Sequence, residues 1–198
     1  PGGNYKYFNG TSMASPIVAG AVALMKEYQS QSHEEVFAKV IQSTGTILDA
    51  NSAIDYTLSP DLYFVSYTLE DNFIGGDNDG SPDAGETIKI WLKVKNAGGH
   101  ADSVFANLSI GEFEDPSVAN IEKSTQSIGD ISAYATLTGE ADSFKISISP
   151  NVVNDRDIVF DYEIGCKNSG TIKNGSFILT VQNGEELKGV MDSTLTLT

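Results

Sequence analysis

Residues 86–95 read ETIKIWLKVK, and the alternation within them decides the larger part of the fold. Ile88, Ile90, Leu92 and Val94 fall on one side of an extended chain, while Thr87, Lys89, Trp91 and Lys93 fall on the other. That period of two is what a half-buried strand requires. The same alternation returns downstream in Val104, Ala106, Leu108 and Ile110, in Phe144, Ile146 and Ile148, in Ile158, Phe160, Tyr162 and Ile164, and in Phe177, Leu179 and Val181. Two further strands are expected at 62–69 and 133–138. About seven short strands, separated by Gly, Asn and Asp turns, predict two antiparallel sheets packed as a sandwich. Trp91 falls on the polar side of its strand, where a large ring is expected to cover the second sheet or the helical segment rather than serve as a ligand platform.

Upstream of Ser59-Pro60 the period is helical. Ile17, Val18, Ala21, Val22, Leu24 and Met25 surround most of a helix circumference, as in a helix buried inside a larger domain. Ser32-His33-Glu34-Glu35 is a capping box. Val36, Phe37, Val40 and Ile41 follow it at amphipathic spacing and predict a second helix ending near Gly45. A third, short helix is expected over 51–58, with Ala53, Ile54 and Leu58 inward. The chain thus divides into a helical segment at 1–59, a sandwich of immunoglobulin-like kind at 60–185, and a linker or the start of a further module at 186–198. Residues 1–59 are expected to dock on another chain, to pack on the sandwich, or to be poorly ordered.

The chain of 198 residues carries a net charge of −15. Residues 1–59 hold three Lys and five acidic residues, so nearly all of the charge belongs to the sandwich. Clustered Lys and Arg are what phosphate backbones need, and this balance argues against nucleic acid as a partner. No apolar run approaches the length of a membrane span. Cys166 is the single cysteine, which rules out an internal disulfide and suits a small buried hydrophobe. The sequence starts at Pro1 with neither methionine nor a signal-like leader, so a larger parent is expected.

The heptapeptide GTSMASP, Gly10 to Pro16, runs straight into the apolar stretch IVAGAVALM and puts Ser12 where a helix begins. Backbone N–H groups in a first helical turn lack intrahelical acceptors and sit at the positive end of the macrodipole. An oxyanion forming beside Ser12 would therefore be stabilised, which makes this serine a candidate nucleophile. Gly10 to Pro16, followed by Val18, Ala19 and Gly20 and preceded by Pro1-Gly2, resembles the serine segment of the subtilisin-like serine peptidases, and LDANSAID resembles the closing segment of their catalytic domain. Ile17 stands where that family often carries a histidine, which is not its general base. The resemblance implies that Ser12 is the acyl-enzyme nucleophile and that 1–59 is the helical remnant of an α/β domain whose strands lie elsewhere.

Such an enzyme needs an imidazole base and a carboxylate to orient it. In the subtilisin order Asp, His, Ser, both precede the serine. Among the residues before Ser12 there is no His, Asp or Glu; His33 and His100 both follow it. Neither sits in a family-like histidine motif, and both are expected to be exposed polar residues. The expectation is a piece of a secreted or cell-surface bacterial serine endopeptidase acting on protein or peptide substrates, inactive without the remainder of its catalytic domain. The alternative function is that of a non-catalytic accessory sandwich for adhesion, glycan or protein binding, or spacing.

The second chemistry-bearing stretch is GGDNDGSPDAGE at 75–86. Asp77, Asp79, Asp83 and Glu86 bring four carboxylates together before a strand, where their repulsion favours a hard cation such as calcium. The loop lacks EF-hand register. It is similar, with the strand that follows, to the start of immunoglobulin-like modules that follow catalytic domains in secreted bacterial peptidases. Asn107-Leu108-Ser109 fits the glycosylation pattern but falls inside an expected strand.

Overall fold

The computed structural model describes residues 10–28, 31–43 and 49–182. Helices α1 (Thr11–Tyr28), α2 (His33–Ser43) and α3 (Ala50–Asp55) come first, followed only by strands. These are β1 (Leu62–Glu70), β2 (Thr87–Asn96), β3 (Ala101–Ile110), β4 (Ala119–Lys123), β5 (Thr125–Ile131), β6 (Thr136–Thr138), β7 (Phe144–Ile148), β8 (Arg156–Cys166) and β9 (Ser169–Val181).

The capping box forms as the sequence predicts. Ser32 Oγ accepts from the Glu35 N–H at 3.1 Å, and Glu35 Oε2 accepts from the Ser32 N–H at 2.9 Å. Asp49 caps α3 by accepting from the Ser52 N–H at 3.0 Å. That helix ends at Asp55 rather than running through Leu58, because Tyr56 takes an extended conformation with ψ of 122°. Leu58 still points inward, at 8% exposure, from the extended run before Pro60. Met25, Val36, Val40 and Ala53 form a small core among the helices. Ile17, Leu24, Phe37 and Ile41 are 55–66% exposed, so the outer faces of α1 and α2 carry much of the apolar character that the sequence places there. The Gly45 and 186–198 expectations lie outside the described residues.

The strands make two antiparallel sheets, β1-β2-β7-β4 with β6 beside β2, and β5-β3-β8-β9. Their inner faces share one core. Ile88, Ile90, Leu92 and Val94 of β2 are fully buried there, as are Val104 and Ala106 of β3 and Ile158, Phe160 and Ile164 of β8. At one edge, aromatic contacts tie the sheets together: Phe64 and Tyr67 of β1 lie 4.9 Å from Tyr162 and 4.8 Å from Phe177 respectively, between ring centroids. Trp91 pairs with Thr68 on the face turned away from this core, half-buried, so its ring does not cover the second sheet. Its indole Nε1 is nonetheless out of contact with water.

Two departures from the periodicity have different causes. Strands β4 and β5 were not legible in 119–131, where Ile121, Ile128 and Ile131 are spread among polar residues. The inward position between them is filled by Gln126, 1% exposed, which replaces apolar burial with hydrogen bonds. Its Oε1 accepts from the Leu92 N–H at 3.0 Å and its Nε2 donates to the Gly139 carbonyl at 3.1 Å, so it pins one sheet to the other. Conversely, only 136–138 of the strand expected over 133–138 forms, since Tyr134 adopts φ of 58° in a turn.

The chain enters the sandwich through a bracket built on Asn96, which has no exposed surface. Its Oδ1 accepts from the Asp61 and Gly98 N–H groups, and its Nδ2 donates to the Gly99 carbonyl at 2.6 Å.

Candidate functional site

Gly10 opens α1 with φ of 151°, a conformation open to glycine, and its carbonyl accepts from the Ala14 N–H at 3.4 Å. Ser12 is thus the second residue of the helix, inside the first turn rather than before it. The N–H groups of Thr11, Ser12 and Met13 have no intrahelical acceptor. The first turn holds no acidic residue to compete for them. Pro16 lies within the helix and has no N–H to give the Ser12 carbonyl, so the backbone at the serine is freed on its carbonyl side as well. Ser12 is exposed, and the arrangement suits a hydroxyl that must meet a substrate carbonyl beside donors that lack intrahelical acceptors.

Among the described residues neither imidazole hydrogen-bonds Ser12. His33 begins α2 and its Nε2 lies 3.0 Å from Lys26 Nζ. His100 precedes β3 and its Nε2 lies 2.9 Å from Asp102 Oδ1, both half-exposed. Cys166 is buried in the sandwich, and burial pushes its thiol pKa up, away from the reactive thiolate.

The acidic loop gathers its carboxylates in two overlapping trios. One ligand oxygen each from Asp77, Asp83 and Glu86 lies within 4.8 Å of the others, and the same holds for Asp71, Asp77 and Asp79. Asp77 belongs to both. Asp71, which the sequence reading missed, is 3% exposed and Glu86 is 2% exposed. The available signal for Asp71 was an acid at the end of an apolar strand, facing a Gly-rich loop. Backbone donors hold the groups in place: Gly80 N–H to Asp71 Oδ2 at 2.7 Å, Asp83 N–H to Glu86 Oε2 at 2.8 Å, and Ser81 N–H to Asp79 Oδ1 at 2.8 Å. Burial, together with the charges of Asp83 and Asp71, raises the Glu86 pKa. Oxygen-only donors of this kind match a hard divalent cation, so the residues present fit calcium.

Comparison with known proteins bears on the first of these sites. The subtilase family model matches residues 1–59, the helical segment that carries Ser12. An intracellular serine protease of Paenibacillus polymyxa is 48% identical over an alignment of 50 residues, covering 22% of this chain and 15% of that protein. The chain therefore spans only a small part of the curated relative it matches. Among solved structures, a FixG-related protein from Vibrio parahaemolyticus aligns over 64% of this chain and 97% of its own, at TM-score 0.31 and 11% identity. AvmM, which catalyses macrocyclization in alchivemycin A biosynthesis, aligns over 65% of this chain and 90% of its own, at TM-score 0.32 and 8% identity. Residues 1–59 are thus similar to serine peptidases of the subtilase family. No helix among the described residues is long and apolar enough to cross a membrane.

Proposed function

We propose that the chain is the Ser12-bearing carboxy-terminal part of a serine endopeptidase joined to an acidic accessory sandwich. The observation that carries this is GTSMASP at the start of α1, within the segment matched by the subtilase model. Ser12 Oγ attacks the peptide carbonyl and forms the acyl-enzyme, its proton passing to an imidazole held by a carboxylate, both contributed from outside residues 1–198. N–H groups of the first turn lie beside the developing oxyanion. The chain alone is inactive because it lacks the histidine and aspartate of the triad, while His33 and His100 contact Lys26 and Asp102 rather than Ser12. The exposed Ile17, Leu24, Phe37 and Ile41 are where the remainder of the catalytic domain covers the helices. The test is peptide hydrolysis by the chain alone, by the full parent, and by each with Ser12→Ala: activity belongs to the parent only and disappears in its variant.

The sandwich is read as an immunoglobulin-like accessory module over 60–185, between the helical remnant at 1–59 and a linker or further module at 186–198. The pairing of the first two strands with β7 in one sheet, and of β3, β8 and β9 in the other, supports that kinship. Calcium is held by Asp77, Asp79, Asp83 and Glu86 with Asp71 added, the buried pair of carboxylates being the feature that favours it. The ion would offset part of the loop's negative charge and fix the β1–β2 connection. A secreted or cell-surface bacterial parent acting on proteins or peptides fits such a loop, since sites of modest affinity fill where calcium is millimolar. The Paenibacillus relative bears the name of an intracellular enzyme, so secretion rests on the sandwich alone. A rise in melting temperature on adding calcium tests the metal.

A further inference from the structure

The outer face of the β5-β3-β8-β9 sheet carries an ordered pattern that neither the nucleophile nor the acidic loop uses. Asn107, Glu163 and Asn174 pair across β3, β8 and β9 to form one row, and Ser109, Asp161 and Ser176 form the next. These polar rows line a groove of ≈ 670 Å³. Apolar groups bound it at both ends. At one end Phe105 and Ile172 close over Gly165, where a β-carbon would stand 2.7 Å from each. At the other, Val159 pairs with Ile178, and the groove continues through Asp161 and Ser176 to the loop bearing Phe113.

Phe113 is 97% exposed, yet its loop is held firmly. The side chain of Glu114 is 7% exposed, pairs with the Arg156 guanidinium and accepts from the Val159 N–H at 3.1 Å. The Gly111 N–H donates to the Val159 carbonyl at 2.8 Å and the Glu112 N–H to Asp161 Oδ2 at 3.1 Å. A bare aromatic ring is thus presented on a fixed loop beside a bed of planar amides and carboxylates.

We propose that this groove binds a linear, uncharged oligosaccharide. A sugar ring offers hydroxyls around its edge, each both donor and acceptor, and C–H groups on its faces. Asp161 and Glu163 accept, the amides of Asn107 and Asn174 do both, as do the hydroxyls of Ser109 and Ser176, and Phe113 offers a flat apolar surface. No Lys or Arg lines the groove, so phosphorylated, sulfated or uronic ligands meet uncompensated negative charge. A basic peptide would satisfy the charge, but extended peptides join sheets at their edges, whereas these groups stand on a face. The proposal deepens the accessory-module reading and is independent of Ser12.

The experiment titrates the full chain with cellohexaose, xylohexaose and chitohexaose, with polygalacturonate and hexalysine alongside, following backbone amide shifts. Binding of a neutral hexasaccharide with a Kd of about 1 mM or tighter is expected, with shifts confined to the two polar rows and the Phe113 loop. Phe113→Ala and Asn174→Ala, both at exposed positions, should each weaken it about tenfold at unchanged melting temperature. Binding that ignores both substitutions would overturn the proposal. Binding of hexalysine alone would overturn it while keeping the module as a peptide binder, and binding of none of the probes would overturn it while leaving the module a spacer or a partner of folded proteins.

Discussion

Gly99 lies against Leu58 so closely that a β-carbon on the glycine would stand 2.0 Å from the Leu58 carbonyl oxygen. This contact lies where the helical segment becomes the sandwich, and the Gly99 N–H also donates to the Ser59 carbonyl at 3.0 Å. Gly99→Ala cannot be absorbed by a flexible side chain, since backbone is what it meets. The expected cost is about 1–3 kcal/mol by chemical denaturation, and a variant as stable as the parent chain would show that the junction is not packed in this way.

Gln126 is a buried polar group that joins the two sheets. Gln126→Leu keeps the volume but leaves the Leu92 N–H and the Gly139 carbonyl without their partner. Each unsatisfied buried group costs about 1–3 kcal/mol, so the substitution should destabilise despite being more hydrophobic. Unchanged or increased stability would argue that water replaces the amide.

Phe160 has no exposed surface and stacks with Phe177 at 5.7 Å between centroids. Phe160→Ala should cost about 3–5 kcal/mol, whereas Phe113→Ala should be nearly neutral in stability. Comparable effects of the two would contradict the core described above.

Glu86 gives the acidic loop a pH signature. Its folded-state pKa lies above the ordinary glutamate value of 4.5 because of burial and the neighbouring Asp83 and Asp71 charges. The folded state therefore holds this proton more tightly than the unfolded chain does. Its contribution to stability is fully present below the ordinary value and is lost as pH rises through the raised one. Without calcium, stability should fall over that window, and Glu86→Gln should flatten the fall. With millimolar calcium the wild-type chain should gain melting temperature above the window and Glu86→Gln should gain less. Identical pH profiles and identical calcium responses in the two chains would refute the role given to Glu86.

What the sequence disclosed followed from how each residue achieves burial. The strands of Ile88–Val94 and Ile158–Ile164 were legible because apolar side chains alone fill their inward positions. Strand β5 was hidden because Gln126 occupies an inward position and satisfies it with hydrogen bonds to residues distant in sequence. The acidic loop was visible as a run of carboxylates, while Asp71 was not, since only folding brings the end of β1 to Asp77 and Asp79. The polar groove escaped for the same reason: Asn107, Glu163 and Asn174 are adjacent only through strand pairing. Ser12 was readable because a local motif fixes its position at a helix start.

The most direct test concerns Ser12 itself. The 198-residue chain and its full parent are each treated with a fluorophosphonate probe, and the modified serine is located by mass spectrometry. Modification of Ser12 in the parent, with none in the isolated chain, is the expected result. Labelling of a different serine in the parent, or peptide turnover by the isolated chain that Ser12→Ala abolishes, would contradict it.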